Sequence, residues 1–94
     1  MLVLVALATF AIHRQAYSLE GKWVSQGWSI ELRHDHSYLA DYPDRQAEGE
    51  WQVEPLSSGF DLELWSGCLV SDHYCRWVDR DTIAVDDRYF LSRQ

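Results

Sequence analysis

The sequence predicts an all-β domain: a single antiparallel β-meander of seven or eight short strands, closed or nearly closed into a small barrel. Three observations carry this expectation. One strand–turn–strand unit is written twice: Gly21-Lys22-Trp23 before Gly27-Trp28-Ser29-Ile30-Glu31-Leu32, and Gly49-Glu50-Trp51 before Gly59-Phe60-Asp61-Leu62-Glu63-Leu64. From Glu20 onward apolar and polar residues alternate, the period-two mark of half-buried strands. Turn signals recur about every 8–12 residues, the spacing of an all-β sandwich or barrel.

Residues 1–12, MLVLVALATFAI, are almost wholly apolar. As a helix they would rise about 18 Å, short of a hydrocarbon core of roughly 30 Å, so the length suits a signal-peptide hydrophobic region better than a span. Ala16-Tyr17-Ser18 offers a small-x-small cleavage pattern before Leu19. No Lys or Arg precedes the apolar run, which keeps a short retained anchor as the alternative. The domain organisation expected is therefore a signal peptide or hydrophobic anchor over residues 1–18 and a β-barrel over 19–94.

Within the barrel, Trp28, Ile30 and Leu32 share one face of a strand, opposite Ser29, Glu31 and Arg33. His34-Asp35-His36-Ser37 is a polar turn, and Tyr38 to Tyr42 alternate again before Pro43-Asp44 breaks the run. Trp51 and Val53 alternate with Glu50, Gln52 and Glu54, and Pro55-Leu56-Ser57-Ser58-Gly59 reads as a turn. Phe60, Leu62 and Leu64 repeat the earlier apolar row opposite Asp61, Glu63 and Trp65. Beyond Gly67 the expected pieces are a short strand at Cys68–Val70, a turn at Ser71-Asp72-His73, a strand from Tyr74 to Val78, and a last hairpin over Thr82–Val85 and Arg88–Arg93.

Roughly 75 residues make a marginal domain unless a staple or an unusually apolar core supports it. Five Trp, five Tyr and three Phe supply the core, with Trp23, Trp28 and Trp51 expected inside. The formal charge is −7, and without residues 1–18, which contain Arg14 and no acid, it is −8. Such a surface repels phosphate backbones and anionic lipid, so neither a nucleic-acid partner nor a membrane contact outside the N-terminal segment is expected. It tolerates a basic protein partner.

Gly21-Lys22-Trp23 resembles the Gly-x-Trp signature that opens lipocalins. Ile30 to Tyr38, the hairpin from Gly49 to Leu64, and Asp81 to Val85 followed by Tyr89 to the terminal basic Arg93 resemble the rest of the small bacterial lipocalin-like β-barrel domains. The resemblance covers most of residues 20–93. It implies a compact binding barrel, and the N-terminal segment implies export (periplasmic, envelope-associated or secreted). The expected function is therefore non-catalytic binding of a small apolar ligand or a protein partner near Cys68–Cys75. The alternatives are a small inhibitor-type protein acting on a secreted or periplasmic enzyme, and a purely structural envelope module.

Cys68 and Cys75, with His73 between them, are expected to form a disulfide in an exported protein, worth about 2–3 kcal/mol for so small a loop. Two reduced thiols, or a zinc set completed by His73 and either His34 or His36, are the alternatives, and the wide cysteine spacing disfavours zinc. Asp79, Asp81, Asp86 and Asp87 lack a calcium-loop motif and read as turn formers. Nucleophile-elbow, zinc-protease and phosphate-loop motifs are absent from the sequence, so no enzyme activity, cofactor or metal is expected. The candidate ligand- or partner-binding residues are Trp65, Leu69, Tyr74 and Trp77, read as an apolar patch beside the cysteines.

Overall fold

The computed structural model describes residues 17–94; the segment expected over residues 1–18 lies, as far as residue 16, outside the described residues. Eight strands follow one another: β1 (Gly21–Ser25), β2 (Trp28–Leu32), β3 (Ser37–Asp41), β4 (Gln46–Leu56), β5 (Gly59–Ser66), β6 (Leu69–Asp79), β7 (Thr82–Val85) and β8 (Tyr89–Arg93). Each pairs antiparallel with the next, and β8 returns to β1 through Trp23↔Arg93 and Val24↔Ser92. Closure removes both free edges of the sheet. The fold is the closed antiparallel barrel that the alternation predicted.

Two elements depart from the expected boundaries. Pro55 and Leu56 belong to β4, leaving Ser57-Ser58 as the turn, and Leu69–Asp79 is one unbroken strand with no turn at Ser71-Asp72-His73. The physical reason is the same in both cases. The middle strands β4, β5 and β6 have 11, 8 and 11 residues, against 4 or 5 elsewhere, so parts of β4 and β6 extend past their shorter neighbours. Those overhanging parts are wet on both faces, and a polar strand there looks like a loop in the sequence.

Alternation sends Trp23, Ile30, Leu32, Tyr38, Ala40, Trp51, Phe60, Leu62, Leu64, Cys75, Ile83, Val85 and Leu91 inward, where they form one buried cluster with Leu19. Trp23 and Trp51 are core, as expected; Trp28 is half-buried at one end of the barrel, stacked on Tyr42 with ring centroids 5.7 Å apart. These side chains occupy the space a ligand-carrying barrel would leave open.

The two ends of the barrel differ. One, the upper end, carries the connections at residues 26–27, 42–45, 67–68 and 86–88; the lower end carries those at 33–36, 57–58 and 80–81, with residues 17–20 and Gln94. The lower end is pinned by Arg93. Its guanidinium lies 4.3 Å from the Trp23 ring centroid and donates to the carbonyls of Ser18, Glu20 and Arg80 at 2.6, 2.7 and 3.0 Å. The Trp23 indole donates to the Leu19 carbonyl at 2.8 Å, so this buried polar atom is satisfied.

Candidate functional site

The cysteines are not bridged. Cys68 is exposed in the turn before β6, whereas Cys75 is buried within β6 opposite Phe60 and Val85. At about 3.3 Å per residue the strand holds them roughly 20 Å apart. A disulfide needs Cα atoms within about 7 Å. The expected disulfide is therefore corrected: an extended β6 forbids it, and the same separation dismantles the zinc set. Burial, then the charges of Asp86 and Asp61, push the Cys75 thiol from its ordinary 9.0 up to about 12. Its Sγ lies 3.4 Å from the His73 carbonyl, to which it donates.

The apolar patch expected from Trp65, Leu69, Tyr74 and Trp77 divides into three places. Trp77 points inward near the lower end, its ring centroid 5.7 Å from Phe60, 6.0 Å from Trp23 and 5.2 Å from Tyr17. Tyr74 faces outward, and its hydroxyl donates to the Ser58 carbonyl at 3.0 Å, tying β6 to the β4–β5 turn. Leu69 lies at the upper rim on the inward-facing register, opposite Ser66. Trp65 faces outward opposite Val70, and both are open to solvent, 40% and 50% exposed.

Around Trp65 the outer face of β4–β6 is densely acidic. Register sets Glu50 beside Trp65, Glu54 beside Asp61, and Glu63 beside Asp72. Carboxylate oxygens of Glu54, Asp61 and Glu63 lie within 4.8 Å of one another. This is a consequence of pleat and register, since β4 and β5 put Glu50, Glu54, Asp61 and Glu63 on their outward rows and β6 adds Asp72 across from Glu63. Like charges directly across a sheet repel.

The remaining charged groups disperse. His34 is solvated and pairs with Glu20 at 3.0 Å, while His36 stacks on Trp51 with centroids 4.8 Å apart, so the two histidines share no site. Asp79 and Asp81 lie at the lower end and Asp86 and Asp87 at the upper, with β7 between them. Asp81 is taken up by Arg93 and Asp87 by Arg76. Asp35 accepts from the Ser37 hydroxyl at 2.6 Å and from the Ser37 amide at 2.9 Å, and these hydrogen bonds hold its carboxyl below the usual range.

One constellation escaped the sequence. Ser71 and His73, two apart on β6, turn the same way toward the upper mouth, and Asp86 reaches back from the β7–β8 turn. Asp86 Oδ2 lies 2.8 Å from His73 Nδ1, and His73 Nε2 lies 3.2 Å from Ser71 Oγ. The other oxygen of Asp86 accepts the Tyr74 amide at 3.0 Å, and its own amide donates to the Tyr74 carbonyl at 2.7 Å, which fixes the carboxylate. Asp86 adopts φ 53°, a left-handed backbone that Asp tolerates better than most residues. Spacing in the chain gives no hint of this arrangement, because register assembles it.

No family model, no curated protein and no solved structure matches this chain.

Proposed function

We propose that the chain is a small lipocalin-like binding domain, exported or envelope-associated, that holds a protein partner on the outer face of β4–β6. The observation that carries this reading is the placement of Trp65 and Val70: solvent-exposed, adjacent, and set in a field of carboxylates. An exposed Trp in a ring of polar groups is the composition of an interaction hot spot, and the surrounding charge selects a basic partner and speeds its approach. A filled interior favours a surface partner over an enclosed apolar ligand.

Three features support the lipocalin-like part: the eight-strand closed meander, Trp23 in the first strand, and Arg93 at the end of the last, covering the Trp23 ring. An inhibitor of a secreted or periplasmic enzyme is the same reading with an enzyme as the partner.

The test places a photocrosslinking residue at Val70 on the acidic face and, as control, at Val24, which lies on β1, away from that face. A single basic protein crosslinked from Val70, not from Val24, and lost in Trp65→Ala is the expected result. Equal crosslinking from both positions, or none, would sink the reading and leave a structural module. Quenching of Trp emission by fatty acids, with no crosslink, would instead return the function to a small apolar ligand.

A further inference from the structure

The upper mouth holds a hydrogen-bonded chain that runs carboxylate, imidazole, hydroxyl. Its order is the one an activated serine requires. The carboxylate engages Nδ1, leaving Nε2 free to accept the hydroxyl proton, and Nε2 faces Ser71 Oγ. The hydroxyl is the most exposed of the three. Ser71 is exposed and lines an open groove of about 550 Å³, while the His73 and Asp86 side chains behind it are 33% and 36% exposed. Leu64, Leu69 and Tyr42 line the groove and offer apolar contact, and Tyr38 and Arg45 bring O–H and N–H donors to it.

We propose that Ser71 is a nucleophile activated by His73, that Asp86 is the residue positioning His73, and that the mouth hydrolyses small carboxylic esters with an apolar acyl group. This goes beyond the partner-binding reading and does not rest on it: Trp65 points out from the wall and does not line the groove, and Val70 alone is common to both. Ser71 Oγ bonds to the ester carbonyl carbon as His73 Nε2 takes the hydroxyl proton. The tetrahedral adduct collapses, the bond to the leaving alcohol oxygen breaks, and His73 gives that oxygen the proton. Water then attacks the acyl-Ser71, losing its proton to His73. The carboxylic acid departs, and the Ser71 hydroxyl is restored with the proton from His73. The net reaction is ester plus water to acid plus alcohol, with no change of oxidation state. Among the groove-lining residues, Tyr38 and Arg45 carry O–H and N–H groups suited to an oxyanion, Arg45 being paired with Asp44 at 3.6 Å.

The full chain, carrying Cys68→Ala because that exposed thiol is itself a nucleophile, is treated with p-nitrophenyl butyrate and separately with an alkyl fluorophosphonate. The expected results are steady p-nitrophenol release and one phosphonyl adduct, mapped by mass to Ser71. Ser71→Ala abolishes both, and His73→Gln slows release by about 100-fold or more with an unchanged circular dichroism spectrum. Positioning by Asp86 is read from the ¹⁵N shifts of His73: protonated at Nδ1 in the parent, and shifted toward the other tautomer in Asp86→Asn, with release slowed in step. No adduct on Ser71, an adduct elsewhere, or release that survives Ser71→Ala overturns the proposal. A slowed Asp86→Asn whose His73 tautomer is unchanged removes the positioning role.

Discussion

The hairpins β1–β2 and β4–β5 carry the same written unit and use it differently. In both, the Trp enters the core and its indole donates to a backbone carbonyl at the lower end: Trp23 to Leu19 at 2.8 Å, Trp51 to Arg33 at 3.0 Å. In both, a basic side chain covers the ring, Arg93 in the first and His36 in the second. The glycines, however, do opposite jobs. Gly27 sits in a tight turn at φ 81°, where only the left-handed conformation matters and a Cβ would meet nothing closer than Pro43 Cγ at 3.8 Å. Gly49 and Gly59 lie inside strands, and there the neighbouring backbone takes the space: a Cβ at Gly49 would fall on the Trp65 carbonyl oxygen, and one at Gly59 on the Cys75 carbonyl oxygen. The first copy needs glycine for conformation and the second for room. Gly49 lets β4 approach β5 near the upper end, and Gly59 lets β5 approach β6 near the lower end.

The largest effect that could break this comparison is therefore Gly49→Ala against Gly27→Ala. Gly27→Ala should cost about 1–2 kcal/mol, the strain of a left-handed alanine. Gly49→Ala should prevent the native barrel from forming, because Trp65 C would also lie 2.8 Å from the new carbon and backbone cannot rotate aside as a side chain can. Urea titrations followed by Trp emission would decide it; equal midpoints for the two variants would show that β4 and β5 have room to part.

What the sequence made legible follows the same division. Alternation and turn residues betrayed the barrel, its inward rows and its count of seven or eight strands, because inward positions must be apolar wherever a strand covers the core. Overhanging strands give no such signal. Ser71-Asp72-His73 was expected as a turn, and with it a cysteine loop, because a rim strand has no dry face to mark it. Trp65 is expected outward and lies outward; Trp77, expected beside it in the apolar patch, lies in the interior beside Phe60. The Ser71–His73–Asp86 contact lay beyond reach, since it depends on β7 ending at Val85 opposite Cys75, so that the next residue turns back over His73.

Cys75 sharpens the comparison on a smaller scale, because its carbonyl oxygen is the atom that a Cβ at Gly59 would meet. With its thiol pushed up to about 12, it should resist alkylation in the folded protein at pH 8, while exposed Cys68 reacts. One thiol should titrate natively and two in denaturant. The folded value lies above the ordinary 9.0, so the neutral thiol's contribution is fully present below pH 9 and is lost as pH rises toward 12. Across that window stability should fall by about 1.4 kcal/mol per pH unit. Cys75→Ala should flatten the fall; an alkaline slope that persists would assign it to another group.

The smallest expected effect is also the most direct contrast, because it concerns the same position in the two copies. Glu31 lies opposite Lys22 and accepts from Arg33 Nε at 3.2 Å, so its charge is balanced on both sides. Glu63 lies between Gln52 and Asp72, with Glu54 and Asp61 carboxylates within 4.8 Å, so its charge is opposed. Neutralising them should act with opposite signs. Glu31→Gln should destabilise by about 0.3 kcal/mol, the scale of an exposed ion pair, and Glu63→Gln should stabilise by about 0.5 kcal/mol, the scale of a cross-strand like-charge contact. Both changes should shrink in concentrated salt as the Debye length shortens. Denaturant midpoints at low and high salt measure both. If Glu63→Gln destabilised the barrel as Glu31→Gln does, the acidic face would be a supported part of the fold and not a surface held at a cost for a partner. The electrostatic part of the proposed function would then lose its basis.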